Sequence, residues 1–402
     1  SHTHAMSFYD QYDEHLSGAE RALVHRAQAF CAGPFSRSVL DAFDQARAYE
    51  TSWIQAWADQ GFLGLQTLRA HGGFEASYLC KIRVAQAMAE HSFGAAFAIN
   101  NLQGSVTRVS KTGSAVQHDR LLERMRSGDL LCAPAMSEPS GGSDLSALAT
   151  SARRVEGGWL VNGTKAWVTN GTVVGCVTLL ARVDRPTGGQ DIASFLTLLE
   201  DSPTVSREEI RVPGGRAFRL ARIEFRDHFV PDWCLFSEPG QAFKTSLTSI
   251  NAARVHVAAM CVASLRAALA EATQYCASRE AFGGPVLDHQ GLRWELAEVS
   301  IRLEAANALV FRAAKAIQDG SPGPALAAQA KKFAVDTCLW GIDQCLRAMG
   351  AIGVSAGHRL NMLHAECRMA AFGDGTNEML LERIGKNLQS DYRLPSAEGG
   401  VE

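Results

Sequence analysis

Ten cysteines are spread along the chain, at positions 31, 80, 132, 176, 234, 261, 276, 338, 345 and 367, and no two stand in a C-x-x-C pair. The missing pair removes the usual zinc and dithiol redox motifs, so scattered reduced core thiols are expected. A surplus of one charge is missing too: 39 Lys and Arg face 42 Asp and Glu, for a formal charge of −3. With no run of basic residues there is no field for a polyanion, and nucleic acid is not an expected partner. No strand–G-x-G-x-x-G–helix pattern occurs, which excludes a dinucleotide held on a Rossmann unit. No apolar run reaches the roughly 18–20 residues of a membrane span, because "VHVAAMCVASLRAALAEA" is interrupted by Arg266, so no membrane association is expected. "SHTHAM", residues 1–6, reads as a cloning remnant, and "SFYDQYDEHLSGAERA" is too polar for a secretory h-region, so a cytoplasmic protein is expected. Internal repeats and low-complexity segments are absent.

What is present is a globular composition, 47% hydrophobic and 20% charged over 402 residues, enough for two or three packed units. Residues 7–130 are Ala-, Leu- and Arg-rich with helical periodicity, and predict an N-terminal helical domain. Residues 131–235 become β-branched in shorter segments, from "ATSARRVEGGWLVNGTKAWVTNG" to "FRLARIEFRDHFVP", and predict a middle antiparallel sheet or barrel. After "PG" at 239–240 the helical runs return, so residues 236–402 predict a C-terminal four-helix bundle. The fold class is therefore α+β, mainly α.

Three stretches carry candidate chemistry. "AMSEPSGGSD" sets hydroxyls at Ser137, Ser140 and Ser143 beside two glycines, offering backbone N–H groups to a phosphate or simply making a turn. "GTKAWVTNG" puts Trp167 and Thr169 on alternate residues of an expected strand, an indole and a hydroxyl on one face. "FGDGTNE" sets Asp374 between two glycines, which on its own is ordinary turn chemistry.

Taken together, "MSEPSGGSD", "GWLVNGTKAWVTNG", "SREAFGGPVLDHQ", "RAMGAIG" and "FGDGTNE" resemble, in order, the signatures of the acyl-CoA dehydrogenase family of flavoproteins, over roughly residues 55 to 390. The resemblance implies FAD bound between the domains and across a subunit interface of a homo-oligomer, a dimer or tetramer. It implies Met136, Ser137 and Thr169 at the flavin edge, Trp167 against the flavin ring, and Gly142 and Ser143 near the pyrophosphate. Arg279, Phe282 and Gln290 would reach the FAD of a neighbouring subunit, and Thr376 and Glu378 would lie by the adenosine half of their own. The reaction implied is α,β-dehydrogenation of an acyl thioester, an α-proton going to a carboxylate and a β-hydride to flavin N5. Asp374 stands at the family's glutamate position and is the implied base. Arg254 matches an arginine near it, and Ala253 removes the alternative base position on that helix.

The departures are specific. Aspartate is one methylene shorter than glutamate, and Gly373 stands where an aromatic residue is frequent. Both changes are expected to leave space in the substrate pocket for a bulkier or differently seated acyl group. Arg347 replaces a flavin-binding glutamine, next to Gly350, and offers its charge to the pyrophosphate. Alternatives remain open: a nitroalkane oxidase-like flavoprotein oxidase with an aspartate base, or an inactive binding or scaffold homologue. The acyl carrier is open between CoA and an acyl carrier protein of secondary metabolism, and the electron acceptor between a flavoprotein and oxygen. No metal site is expected.

Overall fold

The computed structural model describes residues 7–33, 52–141, 144, 147–200, 202–321, 323–355 and 358–396. The expected remnant at residues 1–6, and Gly142 and Ser143, lie outside them. The N-terminal part holds α1 (Gly18–Ala32), α2 (Ser52–Asp59), α3 (Tyr78–Ala89) and α4 (Phe93–Thr112). Serine starts three of these helices by accepting an orphan backbone N–H: Ser17, in a full capping box with Glu20, Ser77 and Ser92.

The middle part is one sheet of β1 (Cys132–Ala135), β2 (Ser151–Val155), β3 (Gly158–Val168), β4 (Cys176–Asp184), β5 (Gln190–Leu198), β6 (Val205–Glu209), β7 (Ala221–Pro231) and β8 (Leu235–Ser237). Its order is β6-β7-β3-β2-β4-β5-β8, with β1 also on β4. Most pairings are antiparallel as expected, but β1 and β2 each run parallel to β4, so the sheet is mixed. Parallel pairs need long crossovers rather than hairpin turns, and leave no local signal in the sequence.

The C-terminal part contains α5 (Ala242–Ser278), a hairpin of β9 (Glu280–Ala281) and β10 (Gly284–Pro285), then α6 (Gln290–Gln318), α7 (Pro324–Ala348), α8 (Arg359–Cys367) and α9 (Asn377–Lys386). The four helical runs expected from the sequence are α5, α6, α7 and α9, the last of them short at 10 residues. Residues Ser249–Ser278 of α5 are long and apolar enough to cross a membrane, with mean hydropathy 1.4, against the expectation that Arg266 interrupts the run. However, 72% of the qualifying 18-residue window is buried inside the fold. The helix is the spine on which α3, α6 and α7 pack. Arg266 turns out of it to pair with Glu90 at 3.0 Å. All ten cysteines are free and buried.

Glu138, in the loop after β1, does not face outward. It is 5% exposed and pairs with Lys165 of β3 at 3.0 Å, while the Thr150 N–H and hydroxyl and the Ala149 N–H donate to it. Burial alone would raise its carboxyl; the Thr150 and Ala149 donors and the Lys165 ammonium hold it down at about 2. Its stabilising contribution is therefore complete above the ordinary value of 4.5 and is lost as pH falls from there towards 2. Lys165→Met strands the buried carboxylate and is expected to cost about 3–5 kcal/mol. Denaturant titration at neutral pH checks this; a loss under about 1 kcal/mol, the range of an exposed pair, contradicts it.

Candidate active site

The "FGDGTNE" segment connects the turn after α8 to α9. Asp374 has φ 57° and Gly375 φ 106°, two successive residues in the left-handed region. Aspartate tolerates that region better than most residues with a Cβ. Thr376 then caps α9, its hydroxyl accepting the Met379 N–H at 3.3 Å, and Glu378 lies exposed in the first turn.

Two buried cations hold this turn by its carbonyls. Arg254 of α5 donates from Nε to the Asp374 carbonyl at 2.9 Å. Lys331 of α7, fully buried, donates to the Gly375 carbonyl at 2.8 Å and to the Gly373 carbonyl. The Asp374 side chain is left exposed. Arg254 is 5% exposed and keeps Nη1 unpartnered. Burial pulls the Lys331 amine down to about 8, with Asp374 opposing the shift, and burial likewise lowers Arg254. Two more cations feel the same carboxylate: Lys81 of α3, pulled down to about 8 by burial and by Arg108 and Lys111, and Arg108 of α4, lowered by burial.

Helix α4 joins this turn to the end of β3. A Cβ at Gly373 would lie 3.2 Å from the Phe97 ring, so the space expected beside the missing side chain is already taken. One turn along, the Asn170 amide donates to the Asn101 side chain at 3.1 Å and to the Ala98 carbonyl at 3.0 Å. The expected alternation of Trp167 and Thr169 does not occur. The β3–β7 register shifts between Lys165 and Val168, Trp167 has φ 57°, and the strand ends at Val168. The bulge turns Trp167 outward, 56% exposed, while Thr169 falls half-buried in the following turn. Met136 and Ser137 are half-buried beside them, the Ser137 carbonyl accepting the Ala166 N–H at 2.9 Å.

The remaining candidates stand at the far end of α5. Arg279, Phe282 and Gln290 are exposed on and beside the β9–β10 hairpin, Phe282 at 97%. Cys276 Sγ lies 3.5 Å from the Ala348 carbonyl, which brings the exposed Arg347 and Gly350 to the same end. Arg254 and Arg279 are 25 positions apart, and at 1.5 Å per helical residue that is roughly 37 Å. One chain thus gathers the turn, α4 and the end of β3, and holds the hairpin group well away from them.

Lys331, Phe97 and Asn170 stand at this candidate site and were not singled out from the motifs. Lys331 had a signal: of the pair Lys331 and Lys332 it shares the apolar face of α7 with Ala327, Ala330, Ala334 and Cys338.

Three family descriptions match the chain in succession: "Acyl-CoA dehydrogenase, N-terminal domain" over residues 17–129, "middle domain" over 133–228 and "C-terminal domain" over 240–389. Benzylmalonyl-CoA dehydrogenase of Aromatoleum aromaticum is 32% identical over 354 residues, 87% of this chain and 92% of the relative. The short/branched chain specific acyl-CoA dehydrogenase of Rattus norvegicus mitochondria is 27% identical, covering 88% and 82%. The solved structure of butyryl-CoA dehydrogenase from Megasphaera elsdenii superposes with a TM-score of 0.85 at 25% identity, over 93% of this chain and 98% of that one.

The grip of Lys331 on the turn predicts a local effect. A hydrogen bond from a charged donor contributes about 1.5–3 kcal/mol, so Lys331→Met should speed amide exchange at residues 373–376 by about 10- to 100-fold while β3 stays protected. Hydrogen–deuterium exchange measures it; unchanged exchange would show that the turn does not depend on Lys331.

Proposed function

The chain belongs to the acyl-CoA dehydrogenase family of FAD-dependent oxidoreductases, and on that premise we propose that it oxidises an acyl thioester at Cα–Cβ with Asp374 as the base. The observation that supports Asp374 is its presentation: an exposed carboxylate on a left-handed turn whose carbonyls are held by Arg254 and Lys331. A base on a mobile loop would lose the alignment that proton abstraction needs. Here the backbone is fixed from two helices at once.

The donor set suits the cofactor. Trp167 offers an exposed indole face on its bulge, and Ser137 and Thr169 offer hydroxyls beside it, a combination matched to a flat aromatic ring with a polar edge. When bound, FAD supplies the acceptor for the β-hydrogen, which leaves the substrate as hydride. Asp374 takes the α-proton, the electron pair of that C–H bond passes towards the thioester carbonyl, and the α,β double bond forms as the hydride departs. Arg254 and Lys331 act only by positioning the turn. Thr376 and Glu378 would lie towards the adenosine of the same chain's FAD. Arg279, Phe282, Gln290 and Arg347, with Gly350, gather at the far end of α5, too distant for that, and would hold the FAD of a neighbouring chain, which makes the enzyme at least a dimer.

The shorter aspartate and the Phe97 ring against Gly373 together favour an acyl group seated differently from a straight fatty chain. Its carrier, CoA or a carrier protein, presents the same phosphopantetheine arm.

Anaerobic titration of the flavoprotein with acyl thioesters tests the reading. Bleaching of the flavin is expected, slowed by about 10²- to 10⁴-fold in Asp374→Asn, the usual weight of a general base. Bleaching by a nitroalkane and by no thioester would replace the reading with oxidase chemistry.

A further inference from the structure

Several cations inside this fold are matched by carboxylates. Arg83 pairs with Asp13 at 2.8 Å, Lys165 with Glu138 at 3.0 Å, Arg216 with Glu366 at 3.0 Å and Arg359 with Glu271 at 3.2 Å. Unpaired buried charge is costly, and such pairing is the normal remedy. Around Asp374 the pattern fails. Arg254 and Lys331 donate to backbone carbonyls, and Lys81 and Arg108, both half-buried, have no carboxylate within salt-bridge distance among the described residues.

The placement of Lys81 and Arg108 follows from the helices. The Tyr78 hydroxyl donates to the Ala252 carbonyl, which lays that face of α3 on α5; Lys81 comes one turn later on α3, and His256 one turn after Ala252 on α5. On α4, Phe97 at the Asp374 turn, Asn101, Ser105 and Arg108 lie at helical spacing along one side. Arg108 uses one guanidinium nitrogen on Ser105, at 3.1 Å, out of five N–H donors. Lys81 is within electrostatic reach of Arg108, Lys111, Asp374 and His256. His256 supplies an independent sign: it is fully buried, and neither ring nitrogen has a hydrogen-bond partner. Burial and Lys81 hold its imidazole well below the usual range, so it is neutral and has one N–H to donate. Like charges brought together beside an unpartnered donor, with a single carboxylate in view, describe a site that is completed by an anion.

We propose that Lys81, Arg108 and His256 form a subsite for a carboxylate carried by the acyl group, so that the substrate is the monothioester of a dicarboxylic acid. This rests on the acyl-thioester reading and adds the substrate class. The acyl group is favoured over the phosphates of CoA as the source of the anion because Lys81 and Arg108 are both within electrostatic reach of Asp374, the proposed base. The phosphates are separated from the thioester carbonyl by the whole pantetheine arm.

The test is binding to the FAD-loaded protein, read from the perturbed flavin spectrum, with butyryl, succinyl and glutaryl thioesters of CoA and of phosphate-free pantetheine. A dicarboxylic thioester should bind at least about tenfold more tightly than butyryl on both carriers. Lys81→Met and Arg108→Met should each weaken the dicarboxylic ligands by about 10- to 100-fold and leave butyryl unchanged. Lys81→Arg should retain the preference. Equal binding of both acyl classes, a preference that vanishes on pantetheine, or equal losses for both in Lys81→Met would overturn the proposal. If no thioester binds at all, the acyl-thioester reading fails first and this inference falls with it.

Discussion

Two buried cations holding three successive carbonyls around Asp374 are the constraint from which the rest of the site follows. Arg254 reaches the turn from α5 and Lys331 reaches it from α7, so both helices must be packed before the turn has a fixed shape. Neither cation neutralises a carboxylate by doing this. Each exchanges hydration for backbone acceptors, which is tolerable only because a turn with left-handed residues at 374 and 375 points its carbonyls inward. The same geometry turns the Asp374 side chain outward, where a substrate can meet it.

That inward arrangement also explains the unusual electrostatics. Elsewhere the fold answers an internal cation with an acid, as at Glu138 and Lys165 or Glu366 and Arg216. Near Asp374 it places Lys81 and Arg108 on neighbouring helices without that answer. The length of α5 imposes a second separation, between the turn near its start and the hairpin of Arg279 and Phe282 beyond its end. On the proposed reading, a cofactor served by both ends would be shared between chains.

Much of the fold was legible because its signals are local. Helix–sheet–helix order follows from propensity and periodicity, and thiols with no C-x-x-C spacing are the free, buried cysteines seen here. The family, and with it FAD, was legible from five short motifs in order. What was hidden depends on distant partners. The parallel pairings of β1 and β2 with β4 bring together segments with no turn between them. Strict alternation failed at Trp167 because a bulge, set by the partner strand β7, intervened. Gly373 gave no hint of Phe97, which arrives from a helix over 270 positions away in sequence. Lys331 was readable only as a lysine on an apolar face, and its two carbonyl partners belong to a loop that the sequence places after another helix.

The most direct test of the account follows the proton alone. An acyl thioester with sulfur in place of the β-carbon has an α-proton to give and no β-hydride to lose. Incubated in D2O with the FAD-loaded enzyme, its α-protons should exchange for deuterium, visible by NMR, and the exchange should fall to background in Asp374→Asn. Exchange that persists undiminished in that variant, with flavin still bound, would contradict Asp374 as the base.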